Sequence, residues 1–257
     1  MILRRLSQSL KEQNLMAIVI EFVLLVSGVF FGIQVSNWNA SRLDGQRAQG
    51  YLTRIHGDLI ADVGSLQRRL VFWTQVIGHG QAAIRYAETG ELVDGSAWKT
   101  LLAFYQASQL FPWITIDTTY QELRNAGELG LIEDPALRTK LAEYYIGGTG
   151  SQANYLLAVQ PEYRKIVRGL TPSVASAQVW AKCHKAPSFD EQYLFDCKSP
   201  MAEANAQKVL DAYLADPQLL SELRYWTTNL EVSMTLIRLN LKAARELTAR
   251  LPSENGP

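Results

Sequence analysis

Residues 219–251 read LLSELRYWTTNLEVSMTLIRLNLKAARELTARL, and the apolar positions in this run decide the fold. Leu219, Leu223, Trp226, Leu230, Met234, Ile237, Leu241, Ala244, Thr248 and Leu251 follow one another at steps of 4, 3, 4, 4, 3, 4, 3, 4 and 3. That spacing winds one apolar stripe along a long amphipathic helix. A matching stripe lies far upstream, where Leu52, Ile55, Leu59, Val63, Leu66, Leu70, Trp73 and Ile77 step by 3, 4, 4, 3, 4, 3 and 4. Two long amphipathic helices at the ends of a domain pack most simply on each other, with shorter helices completing an antiparallel bundle. The longest alternating run is WITID at 113–117, and no internal repeat is visible. The expected fold class is therefore all-α, with long first and last helices.

Between the two stripes, capping residues mark where shorter helices begin. Ser96 opens 96–110, and the Phe111-Pro112-Trp113 segment breaks that helix. Thr118 with Gln121 reads as a capping box for a short helix ending at Gly127. Asp134-Pro135, Thr171-Pro172, Ser199-Pro200 and Asp216-Pro217 each read as a cap followed by proline at the first helical position. Gly147-Gly148 ends one helix, Ser151 starts the next, and Pro161 is expected to kink it.

Upstream of the first stripe lies LMAIVIEFVLLVSGVFFGIQV, residues 15–35, in which Glu21 is the one ionisable side chain. As a helix it would reach about 31 Å, the thickness of a bilayer's hydrocarbon core. Its apolar core is longer than a signal-peptide h-region, and Trp38 and Asn39 stand where small residues would precede a cleavage site. An uncleaved anchor is the expectation. Residues 1–14 would form a cytoplasmic tail, 15–36 a transmembrane helix, 37–251 a helical ectodomain and 252–257 a disordered C-terminal tail. The basic count is nearly balanced across the span, with Arg4, Arg5 and Lys11 before it and Arg42, Arg47 and Arg54 after it. The higher density in the short tail places the N-terminus inside. The larger part of the chain would then lie outside the cytoplasm.

The 257 residues carry 25 Lys and Arg against 25 Asp and Glu. Once Arg4, Arg5, Lys11, Glu12 and Glu21 of the first 36 residues are set aside, 22 basic groups face 23 acidic ones. No basic face follows from such a balance, and nucleic acid is not an expected partner. Cys183 and Cys197 have 13 residues between them. In an exported domain they pair; in a cytoplasmic one they are two buried thiols. His184 adjoins Cys183, but no second pair of ligands accompanies them, so no zinc site is expected.

Two stretches resemble a known family. EFVLLVSGVFFGIQVSNWN at 21–39 presents a Glu, an apolar stretch with spaced glycines, a Gln and an Asn-Trp-Asn. YQELRNAGELGLIEDPALRTKLAEYY at 120–145 presents a Leu-x-x-x-Gly segment, a short apolar element and a Leu-rich helix ending in paired tyrosines. Together they resemble a family of uncharacterised bacterial single-pass membrane proteins over residues 15–145. The resemblance implies an anchor in a bacterial inner (cytoplasmic) membrane and a helical domain, periplasmic in the orientation read above, and it carries over no activity.

On a helical wheel Gly28 and Gly32 fall within about 20° of Glu21, so the three share one face. That face suits close helix–helix approach, with Glu21 offering a proton or hydrogen bond to a partner. The plainer reading has Glu21 reaching interfacial water. Gln34, Asn37, Trp38 and Asn39 form a belt at the outer boundary, where an amphipathic indole anchors the helix. The aromatics dense from Trp98 to Tyr163 read as core, with a ligand pocket as the alternative. Neither a G-x-S-x-G, a P-loop, a complete G-x-G-x-x-G nor an H-E-x-x-H is present. The expectation is a non-enzymatic anchor protein with no cofactor. Its helical domain mediates protein interaction or envelope assembly, with itself or with another envelope protein. A periplasmic ligand-binding bundle of the sensor type is the alternative, and a tethered enzyme is less favoured.

Overall fold

A computed structural model describes residues 15–148 and 161–253, with side-chain surroundings from Val19 onward. The expectations for the tail at 1–14, the helix start at Ser151, Tyr155 and the end of the C-terminal tail lie outside these residues. The chain divides into two compact units, Met1–Tyr51 and Leu52–Pro257. Helix α1, Leu15–Thr89, supplies all the described residues of the first unit and opens the second. Nothing in 15–89 is a proline, so no helical N–H is lost along its length.

Among its described residues the regular structure of the second unit is helical apart from one small hairpin, as the paired stripes led one to expect. After α1 come α2 (Ala97–Gln106), α3 (Thr118–Asn125), α4 (Pro135–Ala142), α5 (Glu162–Leu170) and α6 (Ser173–Gln178). A two-stranded antiparallel sheet, β1 (His184–Ser188) and β2 (Glu191–Leu194), follows. Helices α7 (Glu203–Ala215) and α8 (Leu219–Thr248) close the chain. Helices α1 and α8 run antiparallel: Glu88 pairs with Arg224 at 2.6 Å, Gly80 lies against Thr227, and the Trp73 and Trp226 rings meet edge to face at 6.1 Å. At Gly80 a Cβ would stand 2.8 Å from Thr227 Oγ1, so glycine is what admits this approach.

The stripe of α8 is buried as read, from Leu219 through Leu223, Trp226, Leu230, Met234, Ile237 and Leu241 to Ala244. On α1 the buried line is Ile55, Leu59, Asp62, Leu66, Arg69, Trp73 and Val76, so two charged residues sit within the apolar seam. The middle aromatics are core. Trp98, Phe104, Tyr105, Phe111, Trp113, Tyr120, Tyr144 and Tyr163 are all buried. Tyr163 donates to the Phe104 carbonyl at 2.6 Å, which satisfies its buried hydroxyl.

Several caps differ from the sequence reading. Ser96 does cap α2, accepting from the Lys99 amide at 3.3 Å, and Asp134 caps α4, accepting from the Ala136 amide at 2.8 Å. Asp216 accepts from the amides of Gln218 and Leu219, both at 2.9 Å, at the head of α8. The cap of α3 is Asp117 rather than Thr118, and Gln121 reaches back to its carboxylate at 3.0 Å. Thr171 does not start α6: it is the C-cap of α5, its amide donating to the Val167 carbonyl, and its hydroxyl bonds the Tyr213 hydroxyl at 2.6 Å. Ser199 bonds Met201 instead, and α7 begins at Glu203. Pro161 stands at the head of α5 with ψ 144°, extended, and so starts a helix where a kink was expected. Gly127, at φ 72°, ends α3 in the left-handed region that favours glycine.

Candidate functional site

Three places in the molecule join side chains in a way that packing alone does not demand. The first is the apolar half of α1. From Ile20 to Val35 its large side chains are exposed, Phe22 and Leu25 each by 67%. By length and composition it is the one described helix able to cross a membrane. Glu21, Gly28 and Gly32 lie on this helix, all exposed, and a Cβ built on either glycine meets nothing within 4 Å. Gln34, Asn37, Trp38 and Asn39 are exposed at its polar end.

The second place is the hairpin. Cys183 and Cys197 are joined as a disulfide with Cα atoms 5.2 Å apart, closing the base of the β1–β2 loop. Its turn is held from the other side. Asp190 forms ion pairs with Arg68 and Arg69 of α1 and accepts from Ser65 Oγ at 2.8 Å. Arg69 is 1% exposed, and its guanidinium lies 4.0 Å over the Phe111 ring. It also donates to the Pro112 carbonyl at 3.2 Å and to Ser65 Oγ at 2.8 Å. Burial, and then the charge of Arg68, draw its pKa down to about 10, so it stays charged at neutral pH. Held at base and turn, the hairpin turns Phe189 (78% exposed), Tyr193 and Phe195 outward. A groove of about 450 Å³ runs between β2 and α1, with Val71, Gln75, Tyr193 and Phe195 in its walls.

The third place is Asp62, two turns before Arg69 on the same seam and 0% exposed. One carboxylate oxygen accepts from the Ile116 amide at 3.0 Å, and the other accepts from the Tyr144 hydroxyl at 2.8 Å. No cation bonds it among the described residues. Asp58, one turn earlier, and Asp117 add like charge, and one Asp58 oxygen is buried with no hydrogen-bond partner. Burial dominates and pushes the Asp62 pKa up to about 6, against the two hydrogen bonds that lower it. The Tyr145 hydroxyl, buried and unpartnered, faces the same carboxylates, and its ring stacks on Tyr120 at 4.7 Å. Burial, together with these acidic neighbours, holds both Tyr144 and Tyr145 well above the usual phenol range.

Local sequence explains how Tyr144 arrives there. Helix α4 runs into a π-turn, Glu143–Gly147, whose wider winding aims Tyr144 at α1 and Tyr145 at Tyr120. On the far side Asn240 of α8, 1% exposed, lies beside the Tyr144 hydroxyl and favours its ionised form, yet its Nδ2 completes no hydrogen bond. Tyr144 and Asn240 also wall a cleft of about 270 Å³ that Lys140, Glu143 and Glu246 edge with charge.

The structure thus joins Cys183 to Cys197 and sets Glu21, Gly28 and Gly32 on one exposed helix. The two buried-charge centres were not singled out in the sequence. One signal was present: Asp62 and Arg69 are seven residues apart and fall between stripe residues Leu59, Leu66 and Trp73. Among the described residues no group of three His, Cys, Asp or Glu side chains is arranged to hold a metal ion. No family model, curated protein or solved structure matches the chain.

Proposed function

We propose that this chain is a single-pass membrane protein whose helical domain holds partners, either a second copy of itself or another envelope protein. The observation that carries the reading is the exposed apolar half of α1. A contiguous run of large apolar side chains on one helix is costly in water and at ease in hydrocarbon. Lipid is then the first partner. The face of Glu21, Gly28 and Gly32, open at both glycines, is suited to a second helix. The disulfide supports a main domain in an oxidising space, hence periplasmic, with the N-terminus in the cytoplasm of a bacterial cell. The likeness of 21–39 and 120–145 to uncharacterised bacterial anchor proteins agrees with this placement. The proposal assigns the domain no reaction and no cofactor.

The alternative of a ligand-binding bundle loses part of its support, because most of the described aromatics between Trp98 and Tyr163 are buried in the core. Crosslinking the intact protein in membranes tests the leading reading. The native chain gives a crosslinked band, and Gly28→Leu with Gly32→Leu removes or weakens it. Monomer alone in the native chain, or a band indifferent to both substitutions, overturns association through this face.

A further inference from the structure

We propose that Asp62, Tyr144 and Asn240 form a proton-reading relay that links α1 to α8 and sets how firmly the turn at 143–147 is held. Three observations converge on it. Asp62 is wholly buried with hydrogen bonds to Ile116 and Tyr144 and no cation. The Tyr145 ring, stacked on Tyr120, stands beside the carboxylates, and a proton is the ligand that needs no further room. The Asn240 amide, almost fully buried, lies beside the Tyr144 hydroxyl with its Nδ2 unpartnered, so no hydrogen bond through that nitrogen opposes rotation of the amide.

The groups around the relay come from every packed element. Helix α1 contributes Asp58 and Asp62, the segment before α3 contributes Asp117, and α3 contributes Tyr120 with Arg124 facing it. The π-turn contributes Tyr144 and Tyr145, and α8 contributes Asn240. Arg54 is bound to Glu122 at 2.7 Å, and Arg69 to Asp190. Arg69 feels Asp62 without bonding it. The carboxylates outnumber the cations here, so a proton relieves both burial and repulsion.

The step is a reversible protonation. With Asp62 ionised, Tyr144 donates to its carboxylate oxygen, and the Tyr144 oxygen is left to face the Asn240 amide. When a proton from the medium settles on that carboxylate oxygen, Asp62 becomes the donor to the Tyr144 oxygen. The Tyr144 proton then turns toward Asn240, whose amide oxygen accepts it after rotation. The chain of hydrogen bonds reverses direction with no net gain or loss beyond the one proton. In the neutral state the three elements are joined without buried charge. In the ionised state Asp58, Asp62 and Asp117 repel one another, and the turn that walls the 270 Å³ cleft is held less firmly.

Amide hydrogen exchange of the intact protein in lipid nanodiscs, corrected for intrinsic rate, tests this between pH 5 and pH 7.5. Protection at Ile116 and across residues 143–148 falls by about tenfold over that interval, while protection in the hairpin at 184–194 does not change. Asp62→Asn keeps an acceptor for the Ile116 amide and abolishes the difference between the two pH values. Should that variant fail to fold, Asp58→Asn serves instead and moves the midpoint to lower pH by removing a like charge. A native chain with no pH dependence at these amides, or the same dependence in either variant, overturns the relay. None of these outcomes depends on the anchor reading, which the crosslinking experiment addresses separately.

Discussion

Asp62 and Arg69 occupy equivalent positions two turns apart on one buried seam, and the molecule treats them in opposite ways. Arg69 is answered from 121 residues away by Asp190, with Ser65, the Pro112 carbonyl and the Phe111 ring completing its shell. Asp62 receives two hydrogen bonds and, among the described residues, no bonded cation. A buried cation with a carboxylate partner is a clamp: it stays charged over all ordinary pH and fixes the hairpin. A buried carboxylate without a cation is poised to change, since the fold itself favours the neutral form. The difference is therefore one of neutralisation rather than depth.

The hairpin is where this contrast breaks most severely. Replacing both Cys183 and Cys197 by Ser frees the loop that delivers Asp190, and chain-entropy arguments put the loss at about 3 kcal/mol. Chemical denaturation would show it as a lower midpoint. Exchange protection should fall at 184–194 and stay unchanged at Ile116, since the two centres share no hydrogen bond. Next in size is Asp190→Ala, which leaves Arg69 buried and unpaired. The Asp190 side chain is itself 38% exposed, so water moderates the loss to about 2 kcal/mol. Adding Arg69→Met should restore much of that stability, because an apolar side chain against Phe111 needs no partner. A double variant no more stable than Asp190→Ala would show that the clamp is held by packing and not by charge. Ser65→Ala removes the hydroxyl shared between Arg69 and Asp190, at a cost of about 1 kcal/mol.

How much of this was legible follows from what each feature looks like in sequence. The stripe of α8 is apolar at nearly every buried position, so its period reads directly. The stripe of α1 was found through Ile55, Leu59, Leu66 and Trp73, but a search for apolar residues passes over Asp62 and Arg69 and substitutes the half-buried Val63 and Leu70. The hairpin gave no alternating pattern. Pro187 interrupts β1 and register slips between Lys185 and Ser188, so the strands are defined by the disulfide and by Asp190 more than by their own side chains. The π-turn is equally hidden, since residues 135–147 read as one continuous helix until Tyr144 is seen against Asp62. What sequence periodicity conveys is the burial of faces. Which distant charge answers which is a property of the closed fold.

The smallest predicted effect is also the sharpest on Asp62. The group is raised from 3.8 to about 6, so the fold is most stable with the proton bound. Below the unfolded value that stability is fully present. It is lost as pH rises from about 4 to about 6, and stability is level above that. The Tyr144 hydroxyl opposes the rise, because it donates to the ionised form. Tyr144→Phe removes this donor and keeps the ring, so the Asp62 midpoint should move upward by roughly half a unit to one unit, the worth of one hydrogen bond of about 1 kcal/mol. The hydroxyl's loss also leaves Asn240 facing a carbon edge, so exchange at residues 143–148 should lose its pH dependence while Ile116 keeps its own. If both sites instead titrate together in Tyr144→Phe, the proton's effect reaches α8 through the backbone of the turn rather than through the phenol. Carboxyl carbon shifts of Asp62 followed across pH 4 to 8 separate these outcomes, because they report the midpoint whether or not the turn responds.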